Sequence, residues 1–121
     1  MTENDPVDRG RAAFERVLGR EPNTDKPIQG VRELSYSHLF PGVWDRPGLP
    51  LRDRTLVTLA LLAAGGREAQ LRAHLKGAKS RGIPLDEILE VMIQVAHYAG
   101  WPAGMSGQVV AESVYGEEEG G

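Results

Sequence analysis

Apolar residues recur along the chain at helical spacing, and no stretch keeps the strict alternation that a half-buried strand requires. The first helix is expected to open at Asp5-Pro6, with the aspartate as N-cap and proline at the first helical position, and to run through Phe14, Val17 and Leu18 to Gly19. A second segment follows Pro27 with Ile28, Val31, Leu34 and Leu39, and Pro41 is expected to stop it. After the loop GVWDRPGLP, a third helix over about residues 51–64 is apolar nearly all round beyond its charged first turn. Such a helix needs cover on several sides, and in so short a chain one of those sides is expected to be a subunit interface. A fourth helix over residues 67–81 ends at Gly82, and Pro84 with Asp86 and Glu87 opens a fifth that runs to Ala99. Gly100-Trp101-Pro102 is expected to break the chain before a sixth helix carrying Val109, Val110, Ser113 and Val114 to Tyr115. The short connection at residues 82–85 predicts that the fourth and fifth helices pair as an antiparallel hairpin. The expected class is all-α.

Length and composition narrow the picture. At 121 residues, with 40% hydrophobic and 26% charged positions, the chain fits one domain, residues 1–116, followed by an acidic tail, 117–121, with nothing to pack. Fourteen basic against 17 acidic residues give a net charge of −3, which lacks the basic excess of a nucleic-acid binder. The absence of cysteine removes disulfides, thiolate nucleophiles and CxxC redox chemistry. The opening MTENDPVDRGR has no basic-then-apolar signal pattern, and the apolar run at 56–64 is far short of the roughly 20 residues that cross a bilayer. A cytoplasmic protein with no membrane or nucleic-acid partner is expected.

Candidate chemistry concentrates on the fourth helix, where Arg67, Gln70 and His74 share one stripe and Glu68, Leu71 and Leu75 the next. That places Glu68 toward the apolar side, whereas Arg72, Lys76 and Lys79 read as a solvated basic face. A histidine, a carboxylate and an arginine within two turns can supply a proton donor, a base and an anion clamp. The plainer alternatives are a packed histidine bonded to a backbone carbonyl, and a Glu68 paired with Arg67, Arg72 or Lys76. Arg46 and Asp45 read equally as loop surface, and Arg52, Asp53 and Arg54 as decoration of a helix start. His38, His74 and His97 form no HxxxH or HExxH pair, so a metal site is not expected, and no GxSxG elbow or phosphate loop is present.

The ordered series WDRPGL, RDRTLVTLA, RExxLxxHLxGA and YxGxP, with VDRGRAAFERVLG before and VVAESVYG after, resembles the carboxymuconolactone decarboxylase family over about residues 6–116. The resemblance implies an all-helical, alkylhydroperoxidase D-like subunit built around a helical hairpin and assembled as a homo-oligomer, a hexamer or trimer. It implies decarboxylation, without a cofactor, of a small cyclic acid or lactone such as γ-carboxymuconolactone. The cysteines of the related alkylhydroperoxidases would fall on Arg67 and Gln70, which excludes peroxidase chemistry. By the resemblance His74 is the acid or oxyanion partner, and Arg67 and Arg46 clamp carboxylates; beside it, Gln70 is read as a hydrogen-bond donor to the oxyanion, Glu68 as a replacement acid-base group, and Tyr98, Trp101, His97 and His38 as residues that bound the substrate. Gln70 stands where the family's decarboxylases usually carry glutamate. His97, Trp101 and His38 also depart from the pattern and suggest a pocket reshaped for a larger or more aromatic ligand. A cyclase, isomerase or lactone hydrolase of a specialised pathway, and a non-catalytic binding oligomer, are the alternatives.

Overall fold

The computed structural model describes residues 5–23 and 25–117, and every regular element among them is helical. Helix α1 spans Pro6–Leu18, α2 Gly30–Leu34, α3 Leu51–Ala64, α4 Glu68–Ser80, α5 Leu85–Ala99 and α6 Trp101–Tyr115. The Asp5 carboxylate caps α1 by accepting from the Val7 N–H at 2.8 Å and the Asp8 N–H at 3.3 Å. Asp5→Ala is expected to cost about 1 kcal/mol, read as a lower urea midpoint with unchanged slope.

Pro41 does not stop the second segment. The chain runs on from α2 as a wider π-helix over Ser35–Trp44, with Pro41 inside it. In an α-helix a proline ring meets the carbonyl four residues back, and the wider winding relieves that conflict. This winding buries Tyr36, Phe40 and Trp44 along one side, against Phe14, Val17 and Leu18 of α1. The packing needs Gly10, since a Cβ there would stand 1.6 Å from the Tyr36 carbonyl oxygen.

The second and larger core lies among α3 to α6, around Leu59, Leu75, Ile88, Met92 and Val114. Its tight antiparallel hairpin is α5–α6 and not the expected α4–α5 pair. A Cβ on Gly104 would meet Ala96 Cβ at 2.5 Å and the Met92 carbonyl at 2.8 Å, and the Tyr115 hydroxyl donates to the Ile83 carbonyl at 2.7 Å. Small residues let these two backbones close up, which the short 82–85 connection alone does not achieve for α4 and α5. The expected break at residues 100–102 shrinks to one residue, Gly100 at φ +117°; Trp101 and Pro102 already form the first turn of α6, where proline is tolerated.

Helix α3 keeps its predicted bounds, but it buries only Thr55, Leu59 and Ala63 and leaves Val57 and Leu61 half or more exposed. With Val91, Val95 and Tyr98 of α5 these residues line an open apolar groove of about 380 Å³. Arg72, Lys76 and Lys79 are not simply solvated. Lys79 Nζ donates to the Val114 and Glu117 carbonyls at 3.3 and 2.6 Å, and Arg72 and Lys76 approach the Glu117 carboxylate at 3.8 and 4.0 Å. Glu117 is thereby held against α4, and the remainder of the expected tail, 118–121, lies outside the described residues. No helix among the described residues is long and apolar enough to cross a membrane.

Candidate functional site

His74 sits at mid-helix on α4, with its imidazole stacked on the Trp44 indole at 5.5 Å and 16° between planes. The ring is partly buried and Nδ1 is fully shielded without a hydrogen-bond partner, which leaves Nε2 as the nitrogen to meet a ligand. The packed alternative for His74 therefore holds in part: the ring stacks, but no backbone carbonyl satisfies it. Burial, and secondarily the nearby Arg81 charge, lower its pKa from 6.5 to about 4. The free protein therefore carries a neutral imidazole at pH 7.

The unfolded chain binds a proton on this residue between about pH 6.5 and about 4, where the native protein does not. Native stability should fall as the pH drops through that window. Urea titrations of wild type and His74→Gln at pH 7 and 4.5 should show the gap between them change by on the order of 2 kcal/mol, the wild type losing more.

One arginine charge reaches this centre. Arg81 follows His74 by two turns, and its guanidinium donates to Thr55 Oγ1 at 2.7 Å and to the Val17 carbonyl at 3.2 Å. Arg54 donates to the Arg46 carbonyl at 3.5 Å, so α3 carries this arginine back to the loop that follows Trp44. The Nε atoms of Arg54 and Arg81 are both shielded and unpartnered, like His74 Nδ1. Shielded polar nitrogens without a partner are uncommon. Arg16 holds the loop to α1 through an ion pair with Asp45 at 2.5 Å. From the sequence, Trp44 stands only as the start of WDRPGL, Arg54 only as decoration of a helix start and Arg81 only as the end of the fourth helix. Arg81 could have been found from its seven-residue spacing to His74, and Arg54 only from the packing.

The remaining candidates disperse. Gln70 lies one turn before His74 on the same stripe and is exposed. Arg46 is exposed beside Trp44, and His38, also exposed, lies over Gly42 in the π-helix. Glu68 is not on the buried side as expected: at the first residue of α4 its side chain is 72% exposed, with only a 4.0 Å approach to Arg72. Arg67 and Glu68 instead border a notch of about 180 Å³ whose far wall is Ser106, Gly107 and Val110 of α6. Tyr98, His97 and Trp101 are exposed where α5 turns into α6. There His97 Nδ1 pairs with the Ile93 carbonyl at 2.8 Å and its ring meets Trp101 edge-on at 5.7 Å. Within one chain these three do not contact His74, so the expected aromatic enlargement of its pocket is not formed by this subunit alone. No group of three or more metal-ligating side chains occurs among the described residues.

The model of the carboxymuconolactone decarboxylase family matches residues 32–112, which include the π-helix, Trp44, His74 and all of α3 to α5. A 4-carboxymuconolactone decarboxylase of Acinetobacter baylyi is 45% identical over 122 aligned positions, covering 95% of this chain and 90% of the relative. A nitrosuccinic acid decarboxylase of Metarhizium robertsii is 32% identical over 111, covering 87% and 78%.

Proposed function

We propose, because the chain belongs to the carboxymuconolactone decarboxylase family, that it is a carboxy-lyase acting on a small ring acid of the γ-carboxymuconolactone type. The observation that carries this reading is the neutral His74, stacked on Trp44 with the Arg81 charge nearby. Such an assembly accepts an anion and holds a hydrogen-bond donor against it.

The chemistry needs little more. The bond from the ring carbon to the carboxylate breaks, carbon dioxide departs, and the electron pair enters the unsaturated lactone as a furanolate-like oxyanion. A proton then returns to carbon to give the enol-lactone. Guanidinium forks suit the second carboxylate, and Arg46, beside Trp44, is open to take it. Arg67, at the head of α4, is the other clamp. An anion bound beside the ring offsets the Arg81 charge and raises the His74 pKa from its lowered value, so the ring is protonated more readily as negative charge develops. It then stands as hydrogen-bond donor to the oxyanion and as the acid for carbon. Gln70, one turn away, donates its amide to the oxyanion but transfers no proton, which leaves acid-base work to His74. Glu68 has no evident access to that centre within one subunit.

A homo-oligomer forms part of the proposal. The apolar groove between α3 and α5, with Val57 51%, Leu61 67% and Tyr98 86% exposed, is the kind of surface a second copy covers. Such cover is also the route by which Tyr98, His97 or Trp101 of one subunit reaches the His74 of another. Sedimentation should show an assembly, and a monodisperse monomer would refute it. Incubating the protein separately with γ-carboxymuconolactone and nitrosuccinate tests the substrate class: turnover of the lactone is expected, and turnover of nitrosuccinate alone would move the reading to open-chain acids.

A further inference from the structure

A second cleft, between α1, residues 20, 23 and 26 of the connection, and α2 with the π-helix, takes no part in the chemistry above. It encloses about 440 Å³, within the usual size of small-ligand sites. Its floor is aromatic, made by Phe14, Tyr36 and Phe40, with Phe14 tilted on Tyr36 at 5.7 Å and edge-on to Phe40 at 5.2 Å. Its rim is cationic: Arg20, Lys26 and Arg32 line it, and no Asp or Glu does. A side chamber of about 50 Å³ shares Lys26 and Tyr36 and adds Arg11. Four cations around one cleft run against a net charge of −3, and among the described residues none of the four is in an ion pair.

Two of the guanidinium groups are held in place. Arg20 lies over the Phe14 ring at 5.0 Å and donates to the Glu21 carbonyl at 3.1 Å, while Arg32 donates to the Pro27 carbonyl at 3.0 Å. One nitrogen of each is engaged, and the other N–H groups remain for a ligand. The buried rings give the cleft an apolar floor, with Arg20 already seated on the Phe14 face, and the guanidinium groups take a ligand's carboxylates. The floor also connects to His74, since Phe40 stacks on Trp44 at 6.4 Å and Trp44 on His74 at 5.5 Å.

We infer that this cleft is a second binding site for a small dicarboxylate with an apolar body, and that its occupancy is transmitted to Trp44 through Phe40. The inference does not depend on the reaction catalysed at His74, because binding is read without turnover.

Phthalate titrated into the full-length ¹⁵N-labelled protein is the probe, with uncharged 1,2-benzenedimethanol as its control. Amide shifts are expected at Phe14, Arg20, Ser35, Tyr36 and Phe40, together with the Trp44 indole signal, and the uncharged diol should bind at least tenfold more weakly. Lys26→Glu with Arg32→Glu, both at exposed positions, should weaken phthalate binding tenfold or more, and Lys26→Gln alone severalfold. Equal affinity for diol and diacid, shifts confined to the surroundings of His74, or an affinity unmoved in both variants would overturn the site. A silent Trp44 indole at saturation would overturn the transmission.

Discussion

His74→Ala lowers kcat for the lactone acid by about 10²–10⁴-fold, the range a positioned acid-base group commands, while KM changes little. The split follows from the division of labour. Arginine side chains bind the acid in ground and transition states alike, whereas the proton on His74 matters only once negative charge moves onto the lactone. The loss should not be structural. The ring is only partly buried and its main packing partner, Trp44, stays fixed by Phe40 and by the α1 core. Steady-state kinetics beside a urea titration separates the two: a fall in kcat with a midpoint shift worth no more than about 1 kcal/mol supports the role. A fall explained by unfolding, or none at all, contradicts it.

Gly10→Ala produces the largest effect on the fold. The added Cβ would lie 1.6 Å from the Tyr36 carbonyl oxygen and 2.4 Å from its carbon, and backbone in a buried helix cannot rotate away as a side chain can. Relief requires α1 to move off the π-helix, which opens the Phe14–Phe40–Trp44 stack. We expect a loss of roughly 3 kcal/mol or more, beyond the usual cost of one extra methyl in a core. Because Trp44 braces His74, turnover by the fraction still folded should also fall, and the indole fluorescence of Trp44 should shift toward that of an exposed ring. A variant as stable as wild type would show that α1 and the π-helix are not locked by this contact. Gly77, whose Cβ would stand 2.1 Å from the Val17 carbonyl oxygen, makes the same demand at the other face of α1.

The sequence carried most of the helical order because its punctuation is local. Asp5-Pro6, Gly19, Pro84 and Gly100 act within a turn of themselves, and the first, third, fourth and fifth helices fall within a residue or two of their expected bounds. Pro41 was misleading for a local reason as well: its conflict with an α-helix is certain, but the pattern gives no sign that the chain will widen its winding instead of ending. The α5–α6 hairpin depended on Gly104 and Gly107 meeting Ala96 and Met92, a match between two helices that neither shows separately.

The candidate site was legible only along one helix. The stripe of Arg67, Gln70 and His74 follows from spacing, and the family resemblance rests on motifs that spacing also preserves. Arg54 and Arg81 gained their place from burial, when Thr55 and Val17 tied down Arg81 and left its Nε without an acceptor. The fold also reversed one reading, leaving Glu68 in solvent at the mouth of a different notch, and burial lowered the His74 pKa.

The most direct test of the central claim is the fate of γ-carboxymuconolactone labelled with ¹³C in the ring-borne carboxyl and incubated with metal-free protein in D₂O. The account predicts labelled carbon dioxide in one-to-one ratio with lactone consumed, and an enol-lactone bearing a single new deuterium at the protonated carbon, both lost in His74→Ala. A product that keeps the label, whether an opened ring or an isomer, would mean that the carbon–carboxyl bond is never broken and would contradict the assignment as a decarboxylase.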